Sequence, residues 1–463
     1  MDFTALQEEM ARHRIQKDIF NQVRDQAFEY MDGIDQRSVF PTEEALSGLS
    51  ELGGDLPQGI SDPSRVLDLL HRVGSPATVA QTGGRYFGFV NGNAIPVAQA
   101  AKWLADVWDQ NPALHVISPV AATLEDVCEK WLRQLFNLPE ATVAGFVGGT
   151  STATLCGLAA GREYLLSRRG WDVNGRGLNG APSLRIILGE EAHATVYKAV
   201  ALLGLGRCHV ETVSCDDQGR MCPEALPALD DNCLLILQAG NVNTGAFDPL
   251  DLLCDKARAA GAWVHIDGAF GLWAAGARET AHWVKGMEKA DSWSVDAHKT
   301  LNVPYDCGIV LCRHPSSLVT AMQATGSYIL YGEQRDNMLY TPEMSRRSRC
   351  VELWATLAYL GKEGINVLVG GLHHRAQQLA KALEREGFLV LNQVVFNQIV
   401  VVLDSPSATR ALPDFLQADG RCWCGGAVWK GRPVVRISLC SWATTEEDLR
   451  QVVAAFISAR DRV

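Results

Sequence analysis

Residues 294–303 read "SVDAHKTLNV". The histidine–lysine pair follows "DSWSVD" (291–296), a short, mostly apolar run, and precedes "TLNVPYDCG" (300–308), which is apolar and turn-like. A surface lysine has no need of such surroundings. Desolvation there favours the neutral, nucleophilic amine over the ammonium. Five further runs share the character of "DSWSVD": "SLRIILG", "CHVETV", "CLLILQ", "AWVHID" and "CGIVLC". None alternates apolar with polar residues, which is the mark of strands buried on both faces. Helical stretches such as "AHATVYKAVALLG" and "PLDLLCDKARAAG" separate most of them. Strand and helix in alternation predict an α/β fold, a mostly parallel sheet with helices on both faces.

In such sheets, ligands lie beyond the carboxyl ends of the strands. The chemically distinctive residues of this chain fall there. Asp267 ends "AWVHID", Asn243 follows "CLLILQAG", His193 follows "RIILGEEA", and His298 and Lys299 follow "DSWSVD". A desolvated lysine at a strand end is suited to a Schiff base, notably with pyridoxal 5'-phosphate (PLP). That cofactor needs further parts. A carboxylate must hold its pyridine nitrogen protonated, and Asp267 in "VHIDGAFG", with the small Ala269 close behind, fits. Its phosphate needs a helix amino terminus. "GFVGGTSTATLCGLAAGREYL" offers Gly148 and Gly149, then Thr150 and Ser151, then a helix. A flat side chain must face the ring, and His193 in "EEAHATVYKA" is the candidate. Taken singly, each has an ordinary structural explanation: a capped helix, a turn aspartate, a core histidine. Cradle, histidine, aspartate and lysine nevertheless occur in order, each at a strand end or helix start.

The motifs "GGTSTATL", "HATVYKA", "GNVNTGAFDPL", "VHIDGAFG", "DAHKTLNVPYDCG" and "RISLCSWATTEEDL" resemble those of the group II PLP-dependent amino acid decarboxylases. The resemblance covers roughly residues 75–458. It implies fold type I, with a seven-stranded sheet, a small C-terminal α+β domain and an N-terminal helical segment. It also implies roles: Lys299 as the Schiff-base lysine, Asp267 on the ring nitrogen and His193 stacked on the ring. Thr150, Ser151 and His298 are expected on the phosphate side, with Asn243 and Ala269 also at the cofactor. The implied protein is a homodimer with active sites at its interface. A loop tyrosine returns a proton to Cα in this family. The corresponding stretch, "TGSYILYGEQRDNMLYTP", holds Tyr328, Tyr331 and Tyr340, and Tyr340 is the expected donor because it lies nearest "PEMSRRSR". Phe89, Asn91 and His115 occupy the family's substrate-facing stretches. Gly88 and Ala113 stand where the aromatic amino acid decarboxylases have rings, and Thr300 stands where the family commonly has Trp.

Bulk properties agree with an ordinary enzyme. The chain has 463 residues, 47% hydrophobic and 21% charged, with a formal net charge of −11. That balance disfavours nucleic acid as a partner; the best basic run is Arg346, Arg347 and Arg349. No apolar stretch approaches the roughly 18 residues of a membrane span. The first residues, "MDFTALQEEMARHRIQKD", read as a charged helix rather than a secretory signal. Thirteen cysteines are scattered without metal-ligand spacing, so no metal is expected, and reduced thiols point to the cytoplasm. Three segments are expected: helical residues 1–75, with one helix over 5–31 and a second over 64–73; a PLP-binding domain 76–350; and a C-terminal domain 351–463.

The expected reaction is α-decarboxylation of a small amino acid. A second reading is another PLP reaction on the same scaffold: an aldolase-type Cα–Cβ lyase, a decarboxylation-dependent aldehyde synthase, or an aminotransferase, for which Arg436 in "VVRISLC" is the carboxylate-binding candidate. An acidic substrate calls for a cation, for which Arg85 is the candidate. A third reading, a non-catalytic binding module, is opposed by Lys299 and Asp267 together.

Overall fold

The computed structural model describes residues 2–324 and 334–463. Seven short strands form one sheet: β1 (Val143–Val147), β2 (Arg185–Gly189), β3 (Val210–Val213), β4 (Cys233–Gln238), β5 (Trp263–Asp267), β6 (Ser292–Asp296) and β7 (Gly308–Cys312). Their order is β1-β7-β6-β5-β4-β2-β3. The pairs from β3 through β2, β4 and β5 to β6 are parallel. β7 lies antiparallel to both β6 and β1. β1 and β6 therefore run the same way, and their carboxyl ends share one sheet edge.

Six of these strands are the six apolar runs of the sequence. The seventh, β1, is short and contains Gly145. A Cβ there would collide with the carbonyl of Tyr340, so glycine is required although it weakens the strand signal. Both faces of the sheet are covered. Leu235, Leu237, Val264 and Ile266 point into one apolar cluster, while Leu234, Ile236 and Trp263 point into another. Double burial is why the runs do not alternate.

By contacts the chain divides into two compact units. The first comprises Met1–Tyr86, Ala411–Cys424 and Ala443–Val463; the second comprises Phe87–Arg410 and Gly425–Trp442. The first unit opens with α1 (Phe3–Gln16), α2 (Asp18–Asp32), α3 (Glu43–Gly48) and α4 (Pro63–Leu69). The single helix expected over 5–31 is two, because Lys17 adopts φ 59° and caps α1 through its N–H to the carbonyl of His13. The second unit carries α5 (Pro96–Trp108), α6 (Pro119–Leu135), α7 (Thr150–Ser167), α8 (Val173–Arg176), α9 (Ala194–Leu202), α10 (Leu250–Ala260), α11 (Pro315–Met322) and α12 (Cys350–Arg385). α12 is broken once at Gly361, where φ is 55°. α13 (Pro406–Asp419) passes from the second unit into the first, and α14 (Glu446–Arg460) belongs to the first. α14 starts in a capping box in which Thr445 and Asp448 satisfy each other's backbone N–H.

A second sheet has the order β10-β11-β9-β8, from β8 (Leu389–Val390), β9 (Gln398–Val402), β10 (Gly425–Trp429) and β11 (Arg432–Ser438). β9 carries the apolar run "QIVVV" and β11 the run "PVVRIS". β8 is two residues long, and β10 opens on two glycines, so neither carries a strand signature. No helix among the described residues is long and apolar enough to cross a membrane.

Candidate active site

The carboxyl ends of β1, β5 and β6 and the amino terminus of α7 lie together, joined by Asp296. That residue ends β6 and is 2% exposed. Its Oδ1 accepts from the Thr150 N–H at 2.7 Å, and its Oδ2 accepts from the Thr150 hydroxyl at 2.8 Å. Nζ of Lys299 is 2.9 Å from the same Oδ2, and Nε2 of His298 is 3.6 Å away. α7 has no side-chain cap of its own; Asp296 supplies one from another strand. Sequence reading assigned Asp296 no role. The available signal was a carboxylate three residues before the lysine, at a strand end.

The turn before α7 is formed by Gly148 and Gly149 and is closely approached by its neighbours. A Cβ on Gly148 would meet Oδ2 of Asp306 at 2.9 Å, and one on Gly308 would collide with the Gly149 backbone. Ser151, next in the helix, is exposed. Nδ1 of His298 accepts from the Cys307 N–H at 3.0 Å, and its ring lies tilted against Tyr305, with centroids 4.4 Å apart. Burial pushes the His298 pKa down.

Asp267 ends β5 beside this cluster and is 6% exposed. Its Oδ1 accepts from the Ala269 N–H at 3.2 Å. Burial pushes its carboxyl up, and the nearby His193 and Lys299 draw it back down. His193 caps α9, its Nδ1 accepting from the Thr195 N–H at 3.3 Å. Burial pushes the His193 imidazole down, and the charge of Lys299 adds to that. A neutral ring with Nδ1 as acceptor has Nε2 as its N–H. Arg436 on β11 is close enough that its charge acts on His193 in the same direction. The Asn243 N–H donates to Oδ1 of Asn241 at 2.9 Å.

The lysine loop is locked by a residue the sequence did not single out. Asn302, fully buried at φ 58°, donates through Nδ2 to the carbonyls of Thr300 and Cys440, both at 2.8 Å. Its Oδ1 accepts from the N–H groups of Trp442 at 2.9 Å and Asn93 at 3.2 Å. Thr300 is also fully buried, its hydroxyl donating to the Phe270 carbonyl at 2.9 Å. A Cβ on Gly92 would collide with the carbonyls of His298 and Lys299, so "FVNGN" packs directly on the loop. Within it, Oδ1 of Asn91 accepts from the Tyr305 hydroxyl at 3.0 Å, while Phe89 is 66% exposed. The His115 N–H donates to Oδ1 of Asp336 at 2.9 Å.

Tyr340 packs its carbonyl against Gly145 of β1. Its ring is 4.3 Å from the Arg335 guanidinium carbon and packs on the cluster that holds Val147 and Ala153. Tyr328 and Tyr331 lie outside the described residues. Arg85 is engaged inside the first unit, donating to the carbonyls of Asp35 at 2.6 Å and Arg421 at 3.0 Å. The basic run is no surface patch. Arg346 pairs with Glu125 at 2.7 Å, Arg347 with Asp306 at 2.8 Å, and Arg349 with Asp306 at 3.2 Å.

These residues fit PLP. A glycine turn exposes a helix amino terminus to an anion, a buried carboxylate calls for a cation such as a ring N–H, and the lysine amine is paired with Asp296 at that helix end while its charge acts on Asp267. No group of three or more metal-ligating side chains occurs among the described residues.

Comparison with known proteins agrees. The family described as "Pyridoxal-dependent decarboxylase conserved domain" matches residues 80–403. Cysteine sulfinic acid decarboxylase of Rattus norvegicus is 26% identical over 351 residues, 72% of this chain and 70% of that protein. The 4-hydroxyphenylacetaldehyde synthase of Rhodiola rosea is 28% identical over 261 residues, 53% of this chain and 52% of that one. In fold, the chain resembles the crystal structure of Oryza sativa TDC with PLP and tryptamine, with a TM-score of 0.88, 22% identity and coverage of 96% and 97%. The chain thus belongs to the pyridoxal-dependent decarboxylase family, an α/β carboxy-lyase of fold type I whose cofactor is PLP.

Proposed function

We propose that this protein is an L-amino-acid α-decarboxylase that works through Lys299, releasing CO2 and an amine. The observation that carries the reading is the convergence of Lys299, Asp267, His193 and the amino terminus of α7 at one sheet edge. Lys299 would hold the cofactor through Nζ. Thr150, Ser151, His298 and the first N–H groups of α7 hold the phosphate. Asp267 holds a proton at the ring nitrogen, and His193 presents a neutral ring face against the cofactor, with Ala269 and Asn243 completing the wall. When bound, PLP supplies the electron sink that makes loss of the α-carboxylate accessible. Orienting the Cα–carboxylate bond is the task of the pocket, to which we assign Phe89, Asn91 and His115. Proton return at Cα is assigned to a tyrosine of residues 325–342, of which Tyr340 is the described one.

A homodimer is part of the proposal. α5 exposes Trp103, Leu104, Val107 and Trp108, and Val116, Ile117 and Val120 add to the apolar surface of the second unit. A second copy would cover such a face and would also close over the exposed Phe89. All thirteen cysteines are free thiols, in keeping with a reducing, cytoplasmic setting.

The second reading is an aldehyde-forming or other PLP reaction, favoured by the similarity to 4-hydroxyphenylacetaldehyde synthase. The test is a visible spectrum of the protein with PLP, followed by a panel of L-amino acids assayed for CO2, amine and aldehyde. CO2 with equimolar amine supports the decarboxylase. CO2 with aldehyde, or no CO2 with spectral change, selects the second reading.

A further inference from the structure

We propose that Asp296 is a built-in counter-ion of the cofactor site, one that the cofactor phosphate must displace. The inference rests on the site reading above, which assigns Thr150 and His298 to the phosphate and Lys299 to the covalent bond. Asp296 engages those same groups. Its two oxygens take the Thr150 N–H at 2.7 Å and the Thr150 hydroxyl at 2.8 Å. Oδ2 also holds the Lys299 amine at 2.9 Å and faces Nε2 of His298 at 3.6 Å.

A carboxylate 2% exposed is costly unless it is paired and hydrogen-bonded. Here it is satisfied by a helix amino terminus and an ammonium. A phosphate brought to the same helix end meets a like charge in a site where screening by water is weak. Loading is therefore an exchange of anions.

The experiment titrates inorganic phosphate, which has no aldehyde, into the full-length protein by calorimetry, alongside Asp296→Asn and Asp296→Ala. Both variants remove the charge; the alanine does so without requiring the pocket to hold an amide, so either one that folds reads the effect. Expected is phosphate binding about tenfold tighter in the variants. Equal or weaker binding overturns the counter-ion and makes Asp296 a plain structural cap. The site reading is checked separately by the PLP visible band of the parent protein and its loss in Lys299→Ala. A band that persists in Lys299→Ala overturns both ideas, whereas its loss combined with unchanged phosphate affinity overturns the counter-ion alone.

Discussion

Nη2 of Arg346 lies 2.7 Å from Oε1 of Glu125, and the two side chains are 2% and 0% exposed. Burial pushes the Glu125 carboxyl up, and Arg346 opposes it. The pair joins α6 to the segment entering α12. Removing one partner strands a buried charge, so Glu125→Gln should lower unfolding free energy by about 3–5 kcal/mol in urea denaturation. The double change Glu125→Leu with Arg346→Met should recover most of that. A single variant as stable as the parent would mean that the pair is not holding these elements together.

Lys299→Ala should abolish turnover and the PLP visible band while leaving the circular dichroism spectrum unchanged. Borohydride reduction of the parent with PLP should leave the cofactor on the peptide containing Lys299. Recovery of the label on another lysine would reassign the site.

Asp267→Asn keeps an acceptor for the Ala269 N–H but removes the charge. Loss of one preorganised electrostatic partner costs about a hundred- to a thousandfold in rate, and PLP should dissociate more readily on dialysis. Parent-like rates would remove Asp267 from the ring nitrogen.

His265 predicts a pH dependence of stability. It is fully buried between Ser292 and Ser294, its Nδ1 2.8 Å from the Ser292 hydroxyl. Burial pushes its pKa from 6.5 down to about 3. The folded imidazole stays neutral where the unfolded one binds a proton. Its stabilising contribution is therefore full above pH 6.5 and falls as pH drops toward 3. From one unit above the unfolded pKa to one unit below it, this site should cost about 1.4 kcal/mol. In urea unfolding at several pH values, His265→Gln should lack that component of the slope; an identical slope would place the effect on other groups.

Tyr340→Phe tests the proton donor. If Tyr340 returns the proton, the variant should slow amine formation or divert product to aldehyde, read from the amine-to-aldehyde ratio. An unchanged ratio transfers the role to Tyr328, Tyr331 or a donor outside this segment.

Much of this was legible in order along the chain. Six runs of apolar residues without alternation encode strands buried on both faces, because each side chain needs an apolar neighbour whichever way it points. Lys299, Asp267, His193 and Thr150 stood out because each follows such a strand or opens a helix. β1 was hidden because Gly145 makes room for the Tyr340 carbonyl, a contact across 195 residues that no local pattern records. Lys17 and Gly361 break helices by a positive φ that the apolar periodicity does not show.

What the sequence by itself determined is the kind of fold and the chemical types that meet at its strand ends, since periodicity and strand-end placement are local properties. What only the tertiary structure decided is who pairs with whom. Asp296 captures both Thr150 and Lys299, Asn302 ties the lysine loop to residues 93 and 442, and the arginines that read as a basic run are paired with carboxylates. Charge and hydrogen-bonding partners are set by distances of a few ångströms between residues far apart in the chain, and those distances exist only once the chain has folded.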